Sequence, residues 1–545
     1  MWNVSSRFSL ALWAGMLYFS QSLAAAATGQ LVTAQWLQQN LARADLLVID
    51  ASPGKLHAAG HIPGAVNVDV FTYGARDMTP AEKEKQVQSW GVDSTKQIII
   101  YDQGGSYLAP SLLFDLYYHG FPRDRLAVLD GGLAKWKATG GAVTKEPTPK
   151  PAPGTFRLTK VEEGVRARLP EFVAATGDTP NSTVVEALSP GMHFGAEKFF
   201  DRAGHVPNAI STPVEDFYND DKTFKSPEEM RRMLAYLGVT PDRHVYSHCG
   251  GGIAATVPFF AMKFLLAYPD VKLYKESQIE YLRDDRGLPL WTYDEPAMVR
   301  EKTWLAGWNA RMLRMFGVSR LSVVDIRPAA AFSQSHVPFA INVPAEVFRR
   351  DFASPEKLAA YLGAAGVDMG EEAVIVSNGG LNPDSALAYL ALEQLGQTKV
   401  SVLSDSVDDW AFAGLPVDQA AEAAGVKLPA NAFTSPKPYP AQLRAGIVTR
   451  NPAATHGLYP KVYIASGKSL PARVPEGRVV HVPYTDLVNA DGKPKDAKDI
   501  WAALVKAGVP RYAEIVSFSD DPGEAAANYF VFKLMGYPDV KVWVL

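Results

Sequence analysis

The sequence predicts an α/β protein of tandem units, each a mostly parallel sheet flanked by helices. Three observations carry that expectation. A strand-and-turn pattern recurs four times, strands alternate with helical stretches, and Pro-rich linkers separate the copies. At 545 residues the chain is too long for one core and points to roughly three to five domains.

Each copy opens on a buried strand ending in an acidic residue, followed by a Gly/His-x-Pro turn. The first is Val48-Ile49-Asp50, then Gly60-His61-Ile62-Pro63. The second is Val184-Val185-Glu186, then Gly204-His205-Val206-Pro207. The third is Val323-Val324-Asp325, then His336-Val337-Pro338. The fourth is eroded to Val462-Tyr463-Ile464 and Arg473-Val474-Pro475. Equivalent turns lie roughly 130 to 145 residues apart, a domain-sized rather than a solenoid-sized period. A second strand leading by a loop into a helix follows in each copy: Ile98–Tyr101, Val245–Tyr246, Val374–Val376 and Ile515–Ser517. A further strand closes each unit, as at Ala127–Leu129, Val271–Tyr274, Val400–Leu403 and Val540–Trp543.

Linkers at 145–154, near 287–303 and at about 420–439 divide the chain, the first and last rich in proline. The expected units are 30–145, 157–295, 303–419 and 440–545. Ahead of them, Arg7, the apolar run Phe8 to Phe19 and the stretch Leu23 to Ala27 read as a secretory signal over residues 1–27. The alternative, an uncleaved anchor, needs a longer span of ~20 apolar residues. The expected location is therefore periplasmic or secreted, with no membrane contact after signal cleavage. A net charge of −4 gives no reason to expect nucleic acid as a partner.

The chain holds one cysteine, Cys249, so no internal disulfide can form and the thiol is flagged as reactive. The bland alternative is an inert core cysteine. Its surroundings favour chemistry: the strand His244 to His248 runs into Cys249-Gly250-Gly251-Gly252-Ile253-Ala254-Ala255, and Thr256 to Leu266 reads as a helix. A strand, a glycine turn and a helix start place the sulfur over a ring of backbone N–H groups, which favour an anion and so a thiolate. The position equivalent to Cys249 is expected near Asp102, Asn378 and Asp520, none of which can take up a sulfane sulfur.

Gly204-His205-Val206-Pro207, Lys225-Ser226-Pro227-Glu228-Glu229 and the Cys249 loop, in that order and spacing, resemble the rhodanese-like sulfurtransferases. The first two units are similar to the paired domains of thiosulfate and 3-mercaptopyruvate sulfurtransferases, in which the first is inactive and the second carries the cysteine. The Cys-Gly-Gly-Gly-Ile loop is closer to the mercaptopyruvate type. The resemblance implies double displacement: the Cys249 thiolate takes sulfur from a small donor, holds it as a persulfide and yields it to a thiol, cyanide or protein acceptor. Gly250, Gly251, Gly252, Ile253, Ala254 and Ala255 form the anion-binding loop in this reading, and neither a metal nor an organic cofactor is implied.

Leu188 and Met192 stand where the family places donor-binding arginines. Arg202 and His248, with Lys198, are the candidates to replace that charge, and His61 is a candidate to reach Cys249 from the first unit. Two functional classes stay open: a sulfane-sulfur transferase, or a non-catalytic scaffold or persulfide carrier loaded by a partner. The third and fourth units, without a nucleophile, are expected to pair and to offer a surface to a protein partner. A cysteine phosphatase is set aside, because position 255 is Ala where a Cys-x5-Arg cradle needs arginine.

Overall fold

The computed structural model describes residues 30–72, 78–419 and 435–545. The expected signal at 1–27 and most of the third linker lie outside them. Four five-stranded sheets follow one another along the chain. The first holds β1 (Leu31–Val32), β2 (Leu46–Asp50), β3 (Val66–Asn67), β4 (Gln97–Tyr101) and β5 (Leu126–Leu129), in the order β1-β5-β4-β2-β3. The second repeats that order with β6 (Arg166–Ala167), β7 (Ser182–Glu186), β8 (Ala209–Ser211), β9 (His244–His248) and β10 (Val271–Tyr274). So does the third, with β11 (Val299–Arg300), β12 (Leu321–Asp325), β13 (Ile341–Asn342), β14 (Glu372–Val376) and β15 (Lys399–Leu403). The fourth uses β16 (Val448–Thr449), β17 (Lys461–Ala465), β18 (Val479–His481), β19 (Glu514–Ser519) and β20 (Val540–Val544). Every pairing is parallel. β11 starts the third sheet ahead of the expected boundary at 303, because a two-residue edge strand leaves no periodic signal.

The central strands are runs of β-branched residues such as Ile98-Ile99-Ile100, buried on both faces as a helix-covered parallel sheet requires. Ser226-Pro227-Glu228-Glu229 has a local role here. The Ser226 hydroxyl accepts from Glu229 N–H while the Glu229 carboxylate accepts from Ser226 N–H, a capping box that starts the helix Pro227–Tyr236. Thr79 and Glu82 do the same for Pro80–Ser89 in the first unit.

The units associate in pairs. Helices Leu108–Tyr118 and Thr256–Phe260 meet between the first two, with Phe114 edge-on to Phe259 at 5.0 Å, and the two units share one hydrophobic cluster. Helices Pro383–Gln394 and Pro522–Leu534 meet likewise between the last two, with Tyr389 edge-on to Phe530 at 4.8 Å. The pairs join through polar and aromatic contacts: Tyr236 Oη donates to the Ala513 carbonyl at 2.9 Å, Arg511 pairs with Asp216 at 3.1 Å, and the Tyr236 ring meets Tyr459 and Tyr512 at 5.1 and 5.7 Å. Among the described residues no helix is long and apolar enough to cross a membrane.

Candidate active site

Cys249 follows directly on β9, and the register of the sheets identifies its counterparts. Glu186 pairs with His248, Asp50 with Tyr101, Asp325 with Val376 and Ala465 with Phe518. The next residue is Cys249, Asp102, Ser377 or Ser519. The positions near Asn378 and Asp520 that the sequence suggests are thus each one residue beyond the true counterparts, which only the register of the paired strands identifies. Asp102 shows what the loop favours. Its two carboxyl oxygens accept from Gly104 N–H at 2.8 Å and Ala109 N–H at 2.9 Å, so the cradle of the first unit donates to an acidic side chain, although burial outweighs those amides and pushes the carboxyl above its usual range.

In the second unit the cradle holds sulfur. Gly252 N–H points at Cys249 Sγ with N···S 3.1 Å. Cys249 N–H donates to Ser277 Oγ at 3.0 Å, Gln278 N–H to the Cys249 carbonyl at 3.2 Å and Ile279 N–H to the Gly250 carbonyl at 3.1 Å, which ties the loop to the chain after β10. Ser247 Oγ donates to the Ala255 carbonyl at 2.8 Å and closes the loop behind the sulfur. The helix that follows is shorter than expected: Thr256–Phe260 is α-helical and Ala261–Leu265 continues as a π-helix.

Cys249 is buried. Burial pushes its thiol above the ordinary cysteine range, and the N–H groups of Ala255, Gly252 and Gly251 oppose that shift without cancelling it. The loop alone led to the opposite expectation, because a sequence does not show how completely the sulfur is covered. Phe199 packs on the loop beside it, its ring so close to Gly250 that a Cβ there would fall 2.6 Å from it. The thiolate is the reactive form. Iodoacetamide labelling of Cys249 should therefore be slower at neutral pH than labelling of the unfolded chain. Its rate should climb with pH through a midpoint above the ordinary cysteine value; a midpoint below that value would show that the loop amides outweigh burial.

The other expected site residues do not converge on the sulfur. Gly250, Gly251, Gly252, Ile253, Ala254 and Ala255 form the loop itself. Arg202 donates to the Leu288 carbonyl at 2.8 Å. His248 is buried with its ring edge-on to Phe172 at 5.0 Å, in the cluster on the opposite face of the sheet from the Cys249 core. Strand alternation separates it from its neighbour in sequence. His61 makes hydrogen bonds to the His57 carbonyl at 2.9 Å in its own unit and to Thr148 Oγ1 at 3.1 Å in the linker that follows. The basic groups closest in sequence after β10 are also engaged: Lys275 faces Asp115 at 3.8 Å.

Sequence reasoning missed a buried polar cluster behind the loop. Glu186, at the end of β7, accepts from Gln278 Nε2 at 3.2 Å and meets His193 Nδ1 at 2.7 Å. His193 Nε2 lies 2.7 Å from Asp294 Oδ1, and His205 stacks on His193 at 3.7 Å. Burial alone would lower His193, but the Asp294 and Glu186 carboxylates outweigh it and raise its pKa to about 9. Burial, then the His193 charge, lowers His205 to about 4. Glu186 is held below the usual carboxylate range, burial being outweighed by its histidine neighbours, His193 foremost.

The same arrangement recurs with other residues. Asp50 meets His57 Nδ1 at 2.9 Å and His57 stacks on His61; Asp325 is held by Arg327, and Phe332 stacks on His336. The signal was present as an acidic residue with histidine seven positions later, Asp50/His57 and Glu186/His193. Arg327 stands where Leu188 stands in the second unit, and it folds back on its own strand-end carboxylate. The stacked rings are four residues apart in the first and third units and twelve apart in the second. The added stretch carries Phe199.

The family described as rhodanese-like domain matches residues 33–139 and 308–413, in the first and third units. A putative thiosulfate sulfurtransferase of Synechococcus elongatus is 30% identical over 275 residues, spanning 47% of this chain and 84% of the relative. A probable 3-mercaptopyruvate sulfurtransferase of Pseudomonas aeruginosa is 29% identical over 283 residues, 48% of this chain and 97% of the relative. Among solved structures, SseA of Escherichia coli, reported as a 3-mercaptopyruvate sulfotransferase, is 26% identical with a TM-score of 0.41 and covers 46% of this chain and 99% of its own. Such relatives span about half of this chain, the length of one pair of units, and four sheets of a single strand order account for the rest. The chain belongs to the tandem rhodanese-like sulfurtransferases.

Proposed function

We propose that this protein is a periplasmic or secreted sulfurtransferase that passes sulfane sulfur through a Cys249 persulfide. The observation that carries the reading is the Gly252 N–H aimed at the lone sulfur of a loop whose counterpart in the first unit donates in the same way to the Asp102 carboxyl. With thiosulfate, the Cys249 thiolate attacks the outer sulfur and forms a new S–S bond, while the old bond breaks and sulfite leaves with its electron pair. With 3-mercaptopyruvate, the carbon–sulfur bond breaks instead and pyruvate leaves after taking a proton. A thiol, cyanide or protein acceptor then attacks the outer sulfur and restores the thiolate. The loop amides meet the negative sulfur at each stage. The other three units have no thiol and take no part in the covalent step, which leaves the third and fourth free to engage a protein partner.

The carrier alternative, in which a partner protein loads Cys249, draws on the engagement of Arg202 and Lys275 with other groups. Both readings make small dianionic donors weak. A lost charge-assisted contact costs roughly 1.5–3 kcal/mol, so KM for thiosulfate should be high, in the millimolar range, in a cyanide-dependent thiocyanate assay. A low micromolar KM would contradict the reading in which Arg202 and Lys275 are taken up by other groups.

A further inference from the structure

We propose that His193, His205 and Asp294 form a binding site for one divalent transition-metal ion of the Zn²⁺ class, outside the sulfur-transfer site. Their ligand atoms all lie within 4.8 Å of one another. Each imidazole has its Nδ1 committed to an acceptor, His193 to Glu186 Oε2 at 2.7 Å and His205 to the His193 carbonyl at 2.8 Å. Those contacts place a ring proton on each Nδ1, the second-sphere pattern of metal-bound histidine, so that both Nε2 atoms can ligate once the proton shared by His193 and Asp294 has left. Both Nε2 atoms face Asp294 Oδ1, at 2.7 Å from His193 and 3.5 Å from His205. His205 Nε2 is buried and without a hydrogen-bond partner. A proton between His193 and Asp294 satisfies two of the three atoms and leaves His205 orphaned, whereas a cation satisfies all three.

The chain supplies its own comparison. In the first unit His57 and His61 stack in the same way, but there His61 Nε2 meets the Thr148 hydroxyl at 3.1 Å and needs no cation. In the third unit Phe332 replaces the first imidazole. Only the second unit brings two imidazoles and a carboxylate to one point among the described residues. Donors around tetrahedral Zn²⁺ at ~2.0–2.1 Å lie roughly 3.3 Å apart, so the two rings need to splay and Asp294 to shift by a fraction of that distance. Two nitrogens and one oxygen suit Zn²⁺ and its first-row neighbours better than Ca²⁺ or Mg²⁺.

Access is also built in. The Asp294 side chain is 22% exposed and lines a cavity of ≈ 610 Å³ at the junction of the second unit with the third and fourth, which provides an entry route and room for a water as fourth ligand. Asp294 belongs to the segment between the second and third sheets and abuts Gly536 of the fourth unit, where a Cβ would fall 1.9 Å from its Oδ2. The bound ion would fasten the second unit to that junction, and its uptake displaces the proton that otherwise links His193 to Asp294.

The test uses the tag-free full chain with Cys249→Ser, so that the thiol cannot bind metal, stripped with a chelator and titrated with Zn²⁺ by calorimetry and with Co²⁺ by visible absorption. The expected result is one ion per chain, with affinity weakened roughly 100-fold or more by Asp294→Ala or His205→Gln and unchanged by His61→Gln. Circular dichroism checks that each variant is folded. Should a variant not fold, zinc-edge X-ray absorption of the Zn²⁺-loaded parent chain decides, the proposal requiring a nitrogen/oxygen shell with two imidazoles. No stoichiometric uptake, uptake that survives both Asp294→Ala and His205→Gln, or a shell without imidazole would overturn it.

Discussion

Cys249→Ser should abolish sulfur transfer, lowering cyanide-dependent thiocyanate formation by roughly 10³-fold or more to the buffer blank, while leaving the fold intact. The chain has no second thiol to take over. The histidine next to Cys249 in sequence, His248, packs on Phe172 on the other side of the sheet and cannot serve a serine hydroxyl there as general base. Stability should change by only about 1 kcal/mol, since an oxygen can still accept the Gly252 N–H that now points at sulfur. Thiocyanate formation above the blank in the folded variant would contradict the role given to Cys249.

Gly252→Ala should be the most damaging single change in the loop. Gly252 has φ +80°, a conformation that L side chains rarely adopt, and an added Cβ would fall 1.7 Å from the Lys275 carbonyl oxygen and 2.6 Å from its carbon. Both are backbone atoms, so no rotamer change relieves the clash. Backbone strain and overpacking together should cost roughly 2–4 kcal/mol. The displaced N–H is the one aimed at the sulfur, so activity should fall with stability. The neighbouring glycines set the scale. At Gly250 the new atom meets the Phe199 ring, which can swing aside because it is 43% exposed, and at Gly251 it meets Ile279 Cδ1 at 3.4 Å. Thermal melts and thiocyanate assays on the three alanine variants should rank Gly252 far above Gly250, and Gly250 above Gly251. Equal tolerance at all three positions would show that the loop is not held as described.

The repeat of strand, acid and turn made the four sheets legible, because buried parallel strands are β-branched runs that composition alone exposes. The Cys249 loop was legible for a related reason: three glycines after a strand end have few uses other than a close approach of backbone to a side chain. What stayed hidden depends on three dimensions. Arg202 and His248 are near Cys249 in sequence, yet one folds onto the Leu288 carbonyl and the other points to the opposite face of the sheet. The sign of the Cys249 shift depends on burial, to which residues far along the chain contribute. Ser377 and Ser519 came out only from the sheet register, because a loop without a nucleophile carries no marker for the residue that takes the place of Cys249. The partnership of Glu186 with His193 was written in the sequence at a spacing of seven, and its repetition at Asp50 and His57 is the clue that identifies it. The arginine expected at Leu188 also reads differently once Arg327 is seen bound to Asp325. Charge at that position holds the strand-end carboxylate, a task that His193 performs in the second unit.

Intact-mass spectrometry tests the central claim most directly. The full chain is incubated with thiosulfate and, separately, with 3-mercaptopyruvate, desalted, weighed, and then exposed to cyanide. The account predicts a gain of one sulfur atom that maps to Cys249, forms with at least one donor, is removed by cyanide and is absent from Cys249→Ser. An unmodified chain after both donors, or a sulfur that cyanide does not remove, would contradict it.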